Sequence, residues 1–233
     1  MNTILTDLIK AVSNIPKQYY ETPDIYYKNG TLKKDSEELK NYERRFMIQF
    51  SIQYSKILDN DTNHIYTGSQ TDFEIPKKYM YSSESDERIR DTFEKLNKKE
   101  SKSNLNSEIM FKYFTTVPDF LIHKGQENNE NEFQKLIIEA KTNPQPSKVE
   151  IFKDIFHINI YAEKYSYQNC VILLIHYPKK KWLADFRSYL ANQYYLASIQ
   201  KQKNIFIVFK ESFESEPTTH SLIELKTVCQ HNL

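Results

Sequence analysis

The chain has 233 residues, enough for one sizeable core, and 39% of them are apolar, with 17 Tyr and 14 Phe supplying large buriable surfaces. Three glycines and two cysteines exclude a glycine-rich phosphate cradle, a dinucleotide fingerprint and a disulfide framework. A net charge of +1, from 32 Lys and Arg against 31 Asp and Glu, argues against binding nucleic acid by bulk charge, while leaving room for a locally basic cleft.

In chain order, residues 1–20 predict a short helix with Leu5, Leu8, Ile9 and Val12 on one side, ended near Pro16. This opening mixes acid and base and has no long apolar core, so a secretory signal is not expected. No run approaches the roughly 18 apolar residues of a membrane helix, and the chain reads as soluble and cytoplasmic. A tyrosine-rich irregular segment to Gly30 follows. A helix over 36–58 is then predicted, capped at Asp35 or Ser36 with Glu37 and Glu38 in its first turn. Its stripe is Leu39, Tyr42, Phe46, Phe50, Tyr54 and Ile57, and Glu43 interrupts it.

Residues 59–83 are polar and turn-rich, and 85–99 read as a charged helix through Ile89, Phe93 and Leu96. SEIMFKYFTTVPDFLIH predicts a strand pair or bent strand, and QKLIIEAK a second strand. The asparagine-rich spacer opened by Gly125 makes 125–132 the tip of an antiparallel hairpin. A helix over 148–166, a buried strand at 170–177, a long aromatic helix over 181–202 and a strand at 204–210 complete the core. The last 23 residues read as a peripheral tail, with a short strand over 222–225. The expected fold is α/β, a mixed sheet flanked by helices in a single domain over 1–233, with its core at 36–58 and 108–210 and an insertion at 59–107.

The residues with chemistry gather on the hairpin. Alternation along a strand puts Ile137, Glu139 and Lys141 on one face of LIIEAK and Leu136, Ile138 and Ala140 on the other. A hairpin turning at 125–132 brings Asp119 beside Glu139, so two carboxylates and an ammonium converge. Phosphodiester hydrolysis asks for this arrangement: a hard divalent cation on carboxylate oxygens polarises the phosphoryl group and activates a water. Asp119 and Glu139 would be direct ligands of Mg2+ or Mn2+, with the Ala140 carbonyl as a third. Lys141 would orient or deprotonate the water and steady the developing charge. The competing reading makes Asp119 a turn residue and Glu139 with Lys141 an exposed ion pair worth less than about 1 kcal/mol. The apolar run FQKLIIEAK weighs against it, because unpaired charge in an interior strand is costly.

Pro118-Asp119 and Glu139-Ala140-Lys141, with 19 residues between the two acids, resemble the motif of the PD-(D/E)xK phosphodiesterase superfamily. The resemblance covers about half the chain and implies a restriction-endonuclease-like fold, Mg2+-dependent hydrolysis of DNA, with RNA left open, and a setting in phage defence, restriction, repair or mobile-element processing. Many members add a glutamate from a preceding helix, which implies a part for Glu43, with Glu108 in reserve. The segment KDIFHINIYAEKY is similar to the QxxxY element of RecB-like nucleases, with Tyr161 matching and His157 where glutamine is expected. Lys148, His157 and Tyr161 are accordingly candidates for contact with DNA phosphate. The alternatives are a non-catalytic nucleic-acid or protein binding module on the same fold, and a nuclease activated by a partner chain. A homodimer is equally open.

Other groupings are weaker. Cys229-Gln-His231 lacks companion ligands at zinc spacing, no nucleophile-elbow motif accompanies the Ser, His and Asp residues, and Lys179–Lys181 reads most simply as a solvated helix start.

Overall fold

The structure, a computed structural model, describes residues 2–20, 22–28, 31–40, 43–62, 64–73, 77–78, 86–100, 115–124, 132–143 and 145–230. Strong apolar periodicity makes the centre of the sheet. Strand β6 (Phe120–His123) pairs antiparallel with β7 (Gln134–Lys141), which pairs parallel with β8 (Cys170–Ile175) and through it with β9 (Ile205–Lys210). Strand β3 (Gln70–Asp72) closes one edge against β6, and β10 (Thr218–Ser221) the other against β9, both antiparallel. The six strands form one mixed sheet in the order β10-β9-β8-β7-β6-β3.

Helices cover both faces, because β7 and β8 are apolar on both sides and each side needs its own layer. On one face Phe120, Ile122, Leu136, Ile138, Ala140, Val171 and Leu173 pack against α1 (Thr3–Ser13) and α2 (Glu43–Asp59). On the other, Leu121, Ile137, Ile172 and Leu174 meet α3 (Glu87–Glu100), α4 (Lys148–Lys164) and α5 (Lys179–Ala191). Burying such side chains contributes about 1.5–3 kcal/mol each. Helix α4 carries Ile151, Phe152, Ile155, Phe156, Ile158 and Ile160 into that layer, and its start is fixed by a capping box between Ser147 and Glu150. Among the described residues, no helix is long and apolar enough to cross a membrane.

The structure departs from the sequence expectations at several places. The helix expected over 36–58 begins at Glu43, and Thr31–Lys40 is instead strand β2, paired antiparallel with β1 (Thr22–Lys28). The capping and charge signals around Ser36 were local, and pairing with a segment containing Ile25, Tyr26 and Tyr27, residue types that favour strands, overrides them. Glu43 therefore lies in the first turn of α2, where the helix dipole favours its charge. Segment 59–107, read as an insertion, supplies edge strand β3 and the core residues Ile89, Phe93 and Leu96 of α3. Strand β4 (Lys77–Lys78) pairs with β5 (Thr115–Thr116).

The helix expected over 181–202 breaks after Ala191, where Asn192 caps it and Gln193 takes a positive φ. Tyr194 and Tyr195 then enter the core, and the backbone continues to a single turn, α6 (Ile199–Gln202). The tail forms β10 and helix α7 (Leu222–Gln230) rather than a strand over 222–225. Ser221 and Glu224 cap the helix, and Leu222, Leu225 and Cys229 are buried. The hairpin tip around Gly125, and Glu108, lie outside the described residues. The Lys124 N–H donates to the Phe133 carbonyl at 3.0 Å beside that tip.

Candidate active site

The candidate side chains gather where β6 begins and β7 ends. Asp119 immediately precedes Phe120, the residue paired with Ile138. Its N–H donates to the Ile138 carbonyl at 3.1 Å, and its Oδ2 accepts the Ala140 N–H at 2.7 Å. Both bonds go to the neighbours of Glu139, so the hairpin pairs Asp119 with the stretch of β7 that carries the second acid. Glu139 alternates with Ile137 and faces α4, where the Tyr161 hydroxyl donates to its Oε1 at 2.9 Å and His157 Nδ1 stands 3.6 Å away. A carboxylate this buried, 5% exposed, needs such partners.

Lys141 lies just past the last core residue of β7, where both helical layers reach it. Its Nζ is 3.6 Å from Asp154 Oδ2 on α4 and 3.7 Å from Glu43 Oε2 on α2. It also donates to the Ala140 carbonyl at 3.3 Å. Asp154, His157 and Tyr161 stand at i, i+3 and i+7, a polar stripe of α4 turned towards the end of β7. Of the sequence candidates, Asp119, Glu139, Lys141, Glu43, Ala140, His157 and Tyr161 meet here. Tyr161 is fully buried, and its hydroxyl donates to Glu139. Lys148 stays at the exposed start of α4, its amine 5.6 Å from the centre of the Phe152 ring.

Asp154 was missed by sequence reasoning. The available signal was a carboxylate inside the apolar run of α4, the same signal that singled out Glu43 in α2. Its Oδ2 is buried and, among the described residues, has no hydrogen-bond donor, leaving Lys141 as the charge that faces it.

The electrostatics follow from this crowding. Burial first, and then the Glu139 charge, push Asp119 up to about 8, against the pull of the Ala140 N–H and Lys141. Burial also raises Glu43, although Lys141 and the Thr142 N–H oppose the shift. Asp154 is raised well above the ordinary carboxylate range, again by burial, with Lys141 opposing. For Lys141 burial favours the neutral amine, but Asp154, Glu43, Asp119 and Glu139 outweigh it and hold the ammonium. A site in which carboxylates resist ionisation gains from a further cation.

The donor set fits a hard divalent ion: the second oxygens of Asp119 and Glu139 and the Ala140 carbonyl are all oxygen ligands. Among the described residues no three Asp, Glu, His or Cys side chains form a metal-binding group, so such an ion would rest on two carboxylates, a carbonyl and water. Compared with protein-family models, with curated proteins and with solved structures, the chain matches none.

Proposed function

We propose that this chain is a metal-dependent nuclease that hydrolyses the DNA backbone, with Asp119, Glu139 and Lys141 as its centre. The observation that carries the reading is the docking of the Asp119 carboxylate on Ala140, between Glu139 and Lys141, with the Lys141 amine in turn facing the carboxylates of Glu43 and Asp154. A structural ion pair would not require so many buried acids around one lysine, whereas a centre for phosphodiester cleavage would. The mixed sheet with helices on both faces fits the restriction-endonuclease-like architecture that the motif resemblance implies.

Asp119, Glu139 and the Ala140 carbonyl would hold Mg2+ or Mn2+, which when bound polarises the phosphoryl oxygen and lowers the pKa of its water. Tyr161 fixes the rotamer of Glu139 through the bond to Oε1 and leaves Oε2 for the ion. Lys141, kept charged by its neighbours, orients the attacking water and steadies the negative charge that develops on the phosphoryl oxygens. Glu43 and Asp154 hold the amine between the two helical layers.

The test is incubation of the purified chain with plasmid, linear and single-stranded DNA, with Mg2+ or Mn2+ and with chelator, beside Lys141→Ala. Metal-dependent cleavage lost in the variant supports the reading, and cleavage that survives in it removes Lys141 from the centre. No cleavage by the wild-type chain would replace this reading with the partner-activated or binding-module one.

A further inference from the structure

Beside Asp119 the surface combines charged and apolar side chains. A cavity of about 220 Å3 opens between α2 and the end of β3, lined by Glu43, Arg44, Met47, Ile48, Phe73 and Asp119. Ile48 is 51% exposed and Phe73 40%, so both present apolar surface at the groove. The Phe73 ring packs edge-to-face with Phe120 at 5.5 Å, which anchors it at the sheet. Exposed Arg44 stands one residue after Glu43, on the rim.

We propose that this groove takes an unpaired nucleobase adjoining the phosphodiester held at Asp119 and Glu139, so that the substrate is single-stranded DNA; the inference rests on the nuclease reading. Three observations support this occupant. The groove shares Glu43 and Asp119 with the catalytic cluster, so whatever fills it is the group next to the reacting phosphate. Its apolar part, the Phe73 ring with Met47 and Ile48, suits the flat face of a base. Arg44 at the rim suits the neighbouring phosphate, whereas a wholly apolar partner would leave that charge unused. A base stacked inside a duplex has both faces covered and cannot present one to Phe73. Duplex DNA would reach the groove only after paying for extrusion.

The experiment uses the full chain as wild type, Phe73→Leu and Phe73→Tyr, with folding checked by thermal melting. Leucine keeps apolar packing on Phe120 without a ring, and tyrosine keeps the ring. Mg2+-dependent cleavage is measured on a single-stranded oligonucleotide and on its duplex. Fluorescence of 2-aminopurine placed throughout the single strand is read in Ca2+. Wild type and Phe73→Tyr should prefer the single strand and quench 2-aminopurine at one position. Phe73→Leu should lose the quenching and lower the single-strand to duplex ratio by about 10-fold, the value of one base–aromatic stack. An unchanged ratio in Phe73→Leu, or quenching that survives in it, overturns the base site while the nuclease reading stands. Absence of metal-dependent cleavage on both DNAs with every variant removes the nuclease reading and this inference together.

Discussion

Replacing Asp119 by Asn separates a strained functional cluster from a stabilising ion network. Burial and the Glu139 charge raise Asp119 from its ordinary 3.8 to about 8 in the fold. Because the folded value lies above the unfolded one, the group costs nothing below about pH 4, and stability is lost as pH rises from there to about 8. At about 1.4 kcal/mol per pH unit, Asp119 alone would cost the metal-free fold about 5 kcal/mol by pH 8. Solvent at its open side and proton uptake shared with Glu43 and Asp154 reduce this to about 2–3 kcal/mol. Asparagine retains an oxygen for the Ala140 N–H, so the charge is removed without the bond. Urea unfolding in chelator can be followed by the fluorescence of Trp182, the single and fully buried tryptophan. Asp119→Asn should exceed wild type by about 2–3 kcal/mol near pH 8 and by about 1 kcal/mol or less near pH 5. A variant less stable than wild type at both pH values, or a gap independent of pH, would refute the electrostatic reasoning.

Two further substitutions probe the supports of the centre. Tyr161→Phe deletes the donor to Glu139 and should lower metal-free stability by about 1–2 kcal/mol and the cleavage rate by about 10-fold, read by urea unfolding and single-turnover cleavage. Asp154→Asn removes one of the two acids that, among the described residues, lie within 4 Å of Lys141, and should reduce kcat by about 10-fold with KM little changed. An effect confined to KM, read from steady-state kinetics, would make Asp154 a substrate-binding rather than a positioning residue.

The elements with strong apolar periodicity were legible in the sequence. The β6–β7 hairpin, α4, β8 and β9 stand close to their predicted spans because each must bury a continuous run such as LIIEA or CVILLI. What was hidden depends on strand pairing and packing that a local pattern does not carry. KKDSEELK has helix-like charges, yet it pairs with β1, and three residues of β3 are too few to show a period. The break at Asn192 and Gln193 is hidden inside an aromatic run. It exists because segment 194–198 is tied elsewhere: the Tyr195 N–H donates to Thr92 and the Ala197 N–H to Asn159. In the site, strand alternation placed Glu139 and Lys141, and the hairpin supplied Asp119. The hydrogen bond from Tyr161 to Glu139, and the approach of Asp154 to Lys141, needed the packing of α4 on β7.

The account stands on Asp119 and Glu139 sharing one cation beside Lys141. Anomalous scattering from crystals soaked in millimolar Mn2+ measures this directly. The account predicts one Mn2+ at about 2.0–2.3 Å from an oxygen of each carboxylate, absent in Asp119→Asn. A Mn2+ bound elsewhere, held by only one of the two carboxylates, or absent from the wild-type crystal would contradict it.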